Sequence, residues 1–248
     1  MSYAVQVWSC GGGTQSAAIA ALIVLGRLEP PDFSVMVDTE REKSATWAYA
    51  NAVLIPKLAS AGTTLAVVRK SEFATVDLYG LNGDLLLPAY TADGGKMGGF
   101  CSNEWKRRVV MRWLRSQGVE QCRAWIGYST DEKKRVKAPR ERWFQERYPL
   151  LELNLSRADC LRVVADAGWP PPPRSACWMC PHMTNTEWRH LRDTSPGDFE
   201  KAIRIDELIR EEDSNAFIHR SGTALATADL SKADPQQTLG CDSGDCFV

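Results

Sequence analysis

The sequence predicts an α/β fold: a parallel twisted sheet with flanking helices, followed by a small helical, cysteine-bearing C-terminal part. Three observations predict it. An apolar run near the N-terminus breaks into Gly11-Gly12-Gly13 and restarts as a helix that is apolar on nearly every side. Strand-like and helix-like segments then alternate as far as residue 69. A proline run, Pro170 to Pro173, precedes Cys177-x-x-Cys180. Alternation of this kind marks parallel sheets, whose ligands bind at the carboxyl ends of the strands.

Tyr3–Ser9 reads as the first strand and Ser16–Leu25 as a helix buried against the sheet. Phe33–Val37 is a second buried strand, ending in Asp38-Thr39-Glu40. A helix from Ser44 to Ala59 follows, with Ser44 as its N-cap, and Thr64–Arg69 is the third strand. Residues 70 to 100 are loop-like and long enough for a lid or binding loop. Glu104–Gln117 is a basic helix, Ala124–Tyr128 a fourth strand, and Arg157–Ala167 a helix closed by Gly168. The proline run is the expected seam between a nucleotide-binding domain, residues 1–169, and a C-terminal helical, metal-binding region, 170–248. Helices start near Thr186 and Asp198 in that second part.

A chain of 248 residues can bury a full core. Its net charge of −1 hides local asymmetry: seven basic residues stand against two acids between Lys133 and Arg147, and Asp193 to Asp213 is acidic. Such runs are usually solvated faces, although the basic one also suits phosphates or sulfates. No apolar stretch approaches the roughly 20 residues needed to cross a bilayer. MSYAVQVW has no basic region ahead of an apolar one, so it does not read as a secretory signal. The expected location is the cytoplasm, where eight cysteines serve metal binding or catalysis rather than disulfides.

A strand that ends in glycines and restarts as a helix presents backbone N–H groups and the positive end of a helix dipole, which favours an anion such as phosphate. A P-loop of the Walker type needs a lysine that this stretch lacks. A Rossmann turn would use Gly11 and Gly13, with Ser16 in the third glycine's place and Asp38 on the ribose, and implies NAD(P)H.

Five segments bear on the choice. Ser9 to Ser16 reads Ser-Cys-Gly-Gly-Gly-Thr-Gln-Ser; "VDTE" lies at 37–40; "CSNEWKRRV" at 101–109; and "GYSTDEKKR" at 127–135, with "SACWMCP" following at 175–181. In this order they resemble the PAPS reductase / ATP-pyrophosphatase superfamily (PP-loop, adenine nucleotide alpha-hydrolase-like), in its cluster-bearing branch. The resemblance implies that Ser9, Gly11, Gly12, Gly13, Thr14, Gln15 and Ser16 cradle a pyrophosphate or terminal phosphate of ATP, PAPS or APS. It places Asp38 near the adenosine. Lys106 would reach a phosphate or sulfate, with Arg108 beside it. Asp131 and Glu132 would position Mg²⁺ or a ribose, and Arg135 an anion. Gln15 stands where the family carries an aspartate, and an amide is a poorer magnesium ligand than a carboxylate.

Cys177-x-x-Cys180 has metal-ligand spacing, and Cys241-x4-Cys246 lies at the C-terminus. Two pairs alone suggest structural Zn²⁺. The resemblance adds Cys101 and implies a [4Fe-4S] cluster held by Cys101, Cys177, Cys180 and a tail cysteine, Cys246 or Cys241. Both metals stay open at this point. Cys122 and Cys160 read as core residues; Cys10 stands where a helix start lowers a thiol pKa. Lys106, Arg107, Arg108, Arg112 and Arg115 recur at helical spacing, as a solvated face or an anion site. Nine tryptophans, Trp105, Trp125, Trp143 and Trp178 among them, are expected mostly in the core.

Three functions follow. The first is ATP-dependent adenylation of a substrate coupled to sulfur transfer, with a nucleic-acid substrate suggested by the basic segments and a sulfur donor implied. The second is a sulfonucleotide (PAPS/APS) reductase in which Cys241 attacks sulfur and a thioredoxin-like reductant resolves the adduct. The third is a nucleotide-binding accessory protein with structural zinc. A homodimer is compatible with all three, and none needs a membrane.

Overall fold

The computed structural model describes residues 5–138 and 140–234. The glycine turn sits where the sheet's connection reverses direction. β1 (Val5–Cys10) leads through Gly11–Gly13 into α1 (Thr14–Val24), and β2 (Phe33–Asp38) and α2 (Ser44–Tyr49) follow. A wide helical turn, Ala50–Leu54, joins α2 to α3 (Ile55–Ser60), and β3 (Leu65–Arg69) runs into the short α4 (Lys70–Phe73). β4 (Ala89–Tyr90) and β5 (Lys96–Met97) form a small antiparallel pair. A second wide turn, Asn103–Arg107, opens α5 (Arg108–Ser116), followed by β6 (Cys122–Trp125), a 3-10 turn Thr130–Arg135, β7 (Phe144–Arg147), α6 (Pro149–Glu152) and α7 (Arg157–Asp166). α8 (Asn185–Thr194) and α9 (Pro196–Glu212) make up the C-terminal part.

The sheet has five strands in the order β3-β2-β1-β6-β7, all parallel. Helices flank it, as the alternation predicts. The chain builds outward from β1 to β3, then crosses to β6 on the other side. The crevice at such a reversal, beyond the carboxyl ends of β1 and β6, is where open α/β sheets bind ligands.

Alternating side chains feed two cores. Trp8, Met36 and Trp125 point to the face covered by α1, α3 and α7. Val7, Val35, Val37 and Ala124 point to the face covered by α5. A third core joins Leu86, Leu87 and Trp105 to Trp178, Met179, Met183 and Trp188. Cys101, Cys177 and Cys180 pack against its edge.

Several elements differ from the expectation, each for a local reason. α1 begins at Thr14 rather than Ser16, leaving a turn of only three glycines. The helix read as Ser44–Ala59 is interrupted at Ala50–Leu54, just ahead of Pro56. Proline has no N–H to return to the preceding turn, and a wider turn absorbs the lost bond. Ser44 is not the N-cap: it is the first helical residue, and its N–H donates to the Asp198 carboxylate of α9 at 2.8 Å. The acidic run Asp193–Asp213 is therefore not wholly solvated. Asp198 and Asp206 are buried, the latter accepting the N–H groups of Ile218 and Leu225 at 3.0 Å each. β7 is a strand that the pattern hides, because only Phe144 of its four residues is buried. The fourth expected strand ends at Trp125, so Gly127 and Tyr128 lie beyond it. The 70–100 stretch is not wholly loop, since it carries α4 and the β4–β5 pair. No described helix is long and apolar enough to cross a membrane.

Candidate nucleotide and thiol site

The glycine turn is fixed by close packing. Gly12 has φ +75°, and a Cβ there would stand 2.8 Å from Thr46 Cγ2 and 2.9 Å from Met36 Cε. A Cβ on Gly13 would stand 3.1 Å from Ser175 Cβ, so the arm carrying Cys177 and Cys180 lies directly against the turn. Ser16 Oγ accepts the Gly11 N–H at 2.8 Å. No side chain caps the start of α1, and its first turn holds no acid. An uncapped helix start of this kind suits an anion.

On the β6 side the turn meets the 127–135 segment. A Cβ on Gly127 would lie 3.3 Å from Gln15 Cβ, so glycine lets the two chains touch. Gln15 Nε2 donates to Glu132 Oε2 at 2.8 Å. Glu132 also closes a capping box with Ser129 and pairs with Arg135, which lies over the Tyr128 ring at 4.4 Å. Asp131 accepts the Arg157 N–H at 2.6 Å, and the Arg157 guanidinium donates to Thr14 Oγ1 at 3.3 Å. Glu132 is thus brought to the turn, while Asp131 and Arg135 connect to it through Arg157 and Glu132. Asp38 Oδ1 accepts the Glu40 N–H at 2.7 Å, holding a bend in which Glu40 takes φ +60°.

The thiols gather on the β2 side. Residues 41–43 run antiparallel to 176–178: Trp178 N–H donates to Arg41 O at 2.9 Å and Lys43 N–H to Ala176 O at 3.2 Å. This sets Cys177 opposite Glu42, with Thr39 Oγ1 at 3.9 Å from its sulfur. Cys180 turns back on Cys177, and the Cys101 N–H is held by Leu86 O at 3.0 Å. Burial, then the neighbouring Cys177 and Cys180, push the Cys101 thiol far above its ordinary range. Burial, then Glu42, push Cys177 up to about 12. Lys106 opposes both shifts.

These thiols would be costly to ionise without a cationic partner, and soft thiolates from two chain segments fit an iron–sulfur cluster. Among the described residues no three His, Cys, Asp or Glu side chains gather closely enough to hold a single metal ion. Cys241 and Cys246 lie outside the described residues.

Lys106 lies on the thiol side of the turn, its ammonium 3.4 Å from Glu42 Oε2. Its charge works against the burial that raises Cys10, Cys101 and Cys177. The other helix cations do not join it, because the wide turn at Asn103–Arg107 rephases the helix. Arg107 is buried against Glu141, and Arg108, expected beside Lys106, pairs outward with Glu104 at 3.1 Å. Arg112 donates to Phe73 O at 2.7 Å and Arg115 to Val119 O at 3.1 Å. Cys10 is not activated by the helix start: burial raises its thiol to about 11. Cys122 and Cys160 are core residues, as expected, and so are Trp105, Trp125 and Trp178.

Two residues of the site escape the sequence motifs. Arg157 opens α7, where a cation opposes the helix dipole, and that unfavourable placement is the signal that marks it. Glu42 is 6% exposed and has no motif; its burial emerges only from the pairing of 41–43 with 176–178. An open cavity of about 510 Å³ lies at the carboxyl ends of β2 and β3, lined by Glu40, Arg41, Lys70, Asp77, Trp178 and Ile205. Arg41 makes a two-pronged pair with Asp77 at 2.8 and 2.9 Å.

No family model matches the chain, and no curated protein does. Among solved structures it is similar to the U34-tRNA thiolase NcsA from Methanococcus maripaludis with its [4Fe-4S] cluster. The TM-score is 0.45 and the identity 15%, over 84% of this chain and 72% of that one.

Proposed function

We propose that the protein is an adenine-nucleotide-binding enzyme that adenylates a substrate with ATP and replaces the activated oxygen with sulfur. The observation that carries this reading is the packing of the thiol arm on the glycine turn: a Cβ on Gly13 would stand 3.1 Å from Ser175 Cβ, two residues ahead of Cys177. Activation and sulfur chemistry on one carbon need the two halves this close.

The phosphates of ATP lie on the N–H groups of Gly13 to Ser16 at the start of α1. Arg157 and Lys106 add charge-assisted donors to phosphate oxygens. Asp131 and Glu132 face the same turn and favour a nucleotide carrying Mg²⁺. A substrate carbonyl oxygen attacks the α-phosphorus and pyrophosphate leaves. A sulfide equivalent from a sulfur donor then takes the carbon, and AMP departs with the oxygen, so the exchange needs no net oxidant. Cys101, Cys177 and Cys180 would hold a [4Fe-4S] cluster, which would supply the sulfur-handling chemistry. The acceptor approaches through the cavity beside Trp178. The basic stretch between Lys133 and Arg147 favours a polynucleotide as its carrier.

Pyrophosphate release from ATP tests the reading, measured anaerobically with a bulk RNA fraction and a sulfide source. Release that depends on the RNA supports it. Sulfite release from PAPS or APS with thioredoxin, and none of pyrophosphate from ATP, would replace it with sulfonucleotide reduction.

A further inference from the structure

Glu42 belongs to none of the segments that mark the nucleotide or metal site, yet its carboxylate touches both. It is nearly as buried as a core leucine, with 2% of its side chain exposed. Oε1 accepts the Ser175 hydroxyl at 2.9 Å, and Ser175 is the residue whose Cβ and backbone press on Gly13. Oε2 faces the Lys106 ammonium at 3.4 Å. Its backbone lies opposite Cys177 in the short antiparallel bridge. One buried carboxylate therefore joins the phosphate turn, the lysine and the thiol arm.

A lone buried carboxylate is unfavourable, and Lys106 is the cation that offsets it. Lysine is a flexible chain with a compact charge, so a fixed partner decides where its ammonium rests. Without Glu42 that ammonium loses its 3.4 Å carboxylate partner, and the arm bearing Ser175 loses its bond beneath the turn. We propose that Glu42 is the positioning residue of this centre. It holds Lys106 on the thiol side of the turn, and holds Ser175 against the turn. The inference rests on the nucleotide reading of the turn given above.

The test is a double-mutant cycle on the full chain, with ATP affinity and iron content per chain as readouts. Glu42→Gln keeps the size and an acceptor for Ser175 but removes the charge. It is expected to weaken ATP binding about tenfold and to lower the iron retained after desalting. Lys106→Met should weaken ATP binding by a similar factor. In the Lys106→Met background Glu42→Gln should cost less than about twofold more, because Glu42 acts through the lysine. Glu42→Asp, which keeps the charge, should recover part of the ATP affinity; it also carries the cycle if Glu42→Gln does not fold. Undiminished loss in the double variant, or no loss in Glu42→Gln, would overturn the positioning role while leaving the nucleotide reading intact. Failure of the wild-type chain to bind ATP would overturn both.

Discussion

The two walls of the site are held by different physics. The glycine turn is one contiguous stretch, packed so closely that a Cβ on Gly12 or Gly13 would stand 2.8 to 3.1 Å from its neighbours, and held by a Ser16–Gly11 hydrogen bond. The thiol wall is assembled from three distant segments around residues 39–42, 101–106 and 175–180, joined by backbone pairing and by the buried Glu42–Lys106 ion pair. A wall made of close packing fails when volume is added. A wall made of buried charge and soft ligands fails when a partner is removed.

The sharpest way to break that contrast is to load the turn. Gly12→Ala puts a methyl group into Thr46 and Met36 at a left-handed backbone position, and should destabilise the fold by about 2–4 kcal/mol. Chemical denaturation measures it, and ATP binding should vanish with it. On the thiol side, Cys177→Ala should leave the fold's urea midpoint near that of the metal-free protein yet abolish most iron binding, read as iron per chain. A comparable loss of metal-free stability in both variants would erase the distinction.

The pH dependence sharpens the comparison at the buried end of β1. The Cys10 thiol is raised from 9.0 to about 11, first by burial. Above pH 9 the unfolded chain ionises this thiol while the folded chain does not. The stability it contributes is complete below pH 9 and is lost as pH rises towards about 11, at about 1.4 kcal/mol per pH unit across that window. Cys10→Ala should flatten that limb of a stability-versus-pH curve. The smallest effect belongs to Gln15→Glu, which sets a second carboxylate against Glu132 in place of a 2.8 Å donor. It should cost about 1 kcal/mol in EDTA and regain much of it in millimolar Mg²⁺, compared by thermal unfolding.

What could be read from sequence follows the same division. The turn, the first three strands and the C-x-x-C arm are local patterns of glycine, apolar runs and spacing, and they appear where the residues place them. The cap of α2 by Asp198, the burial of Glu42 and the approach of Arg157 to Thr14 are contacts over 154, 133 and 143 positions. No local pattern encodes them. The helix cations were ambiguous for a different reason: a single wide turn at Asn103–Arg107 decides which of Lys106 and Arg108 faces inward. Gln15 reaches the Glu132 carboxylate in the segment that follows the neighbouring strand β6, a contact over 117 positions.

In the proposed centre the glycine turn and the three thiols form one nucleotide-and-cluster site. Anaerobic purification followed by iron, acid-labile sulfide and zinc analysis, with a visible spectrum, tests it most directly. About four irons and four sulfides per chain, with broad absorbance near 400 nm, are predicted, and ATP should perturb that absorbance. One zinc, no iron and no colour would contradict it and leave the cysteines a structural role.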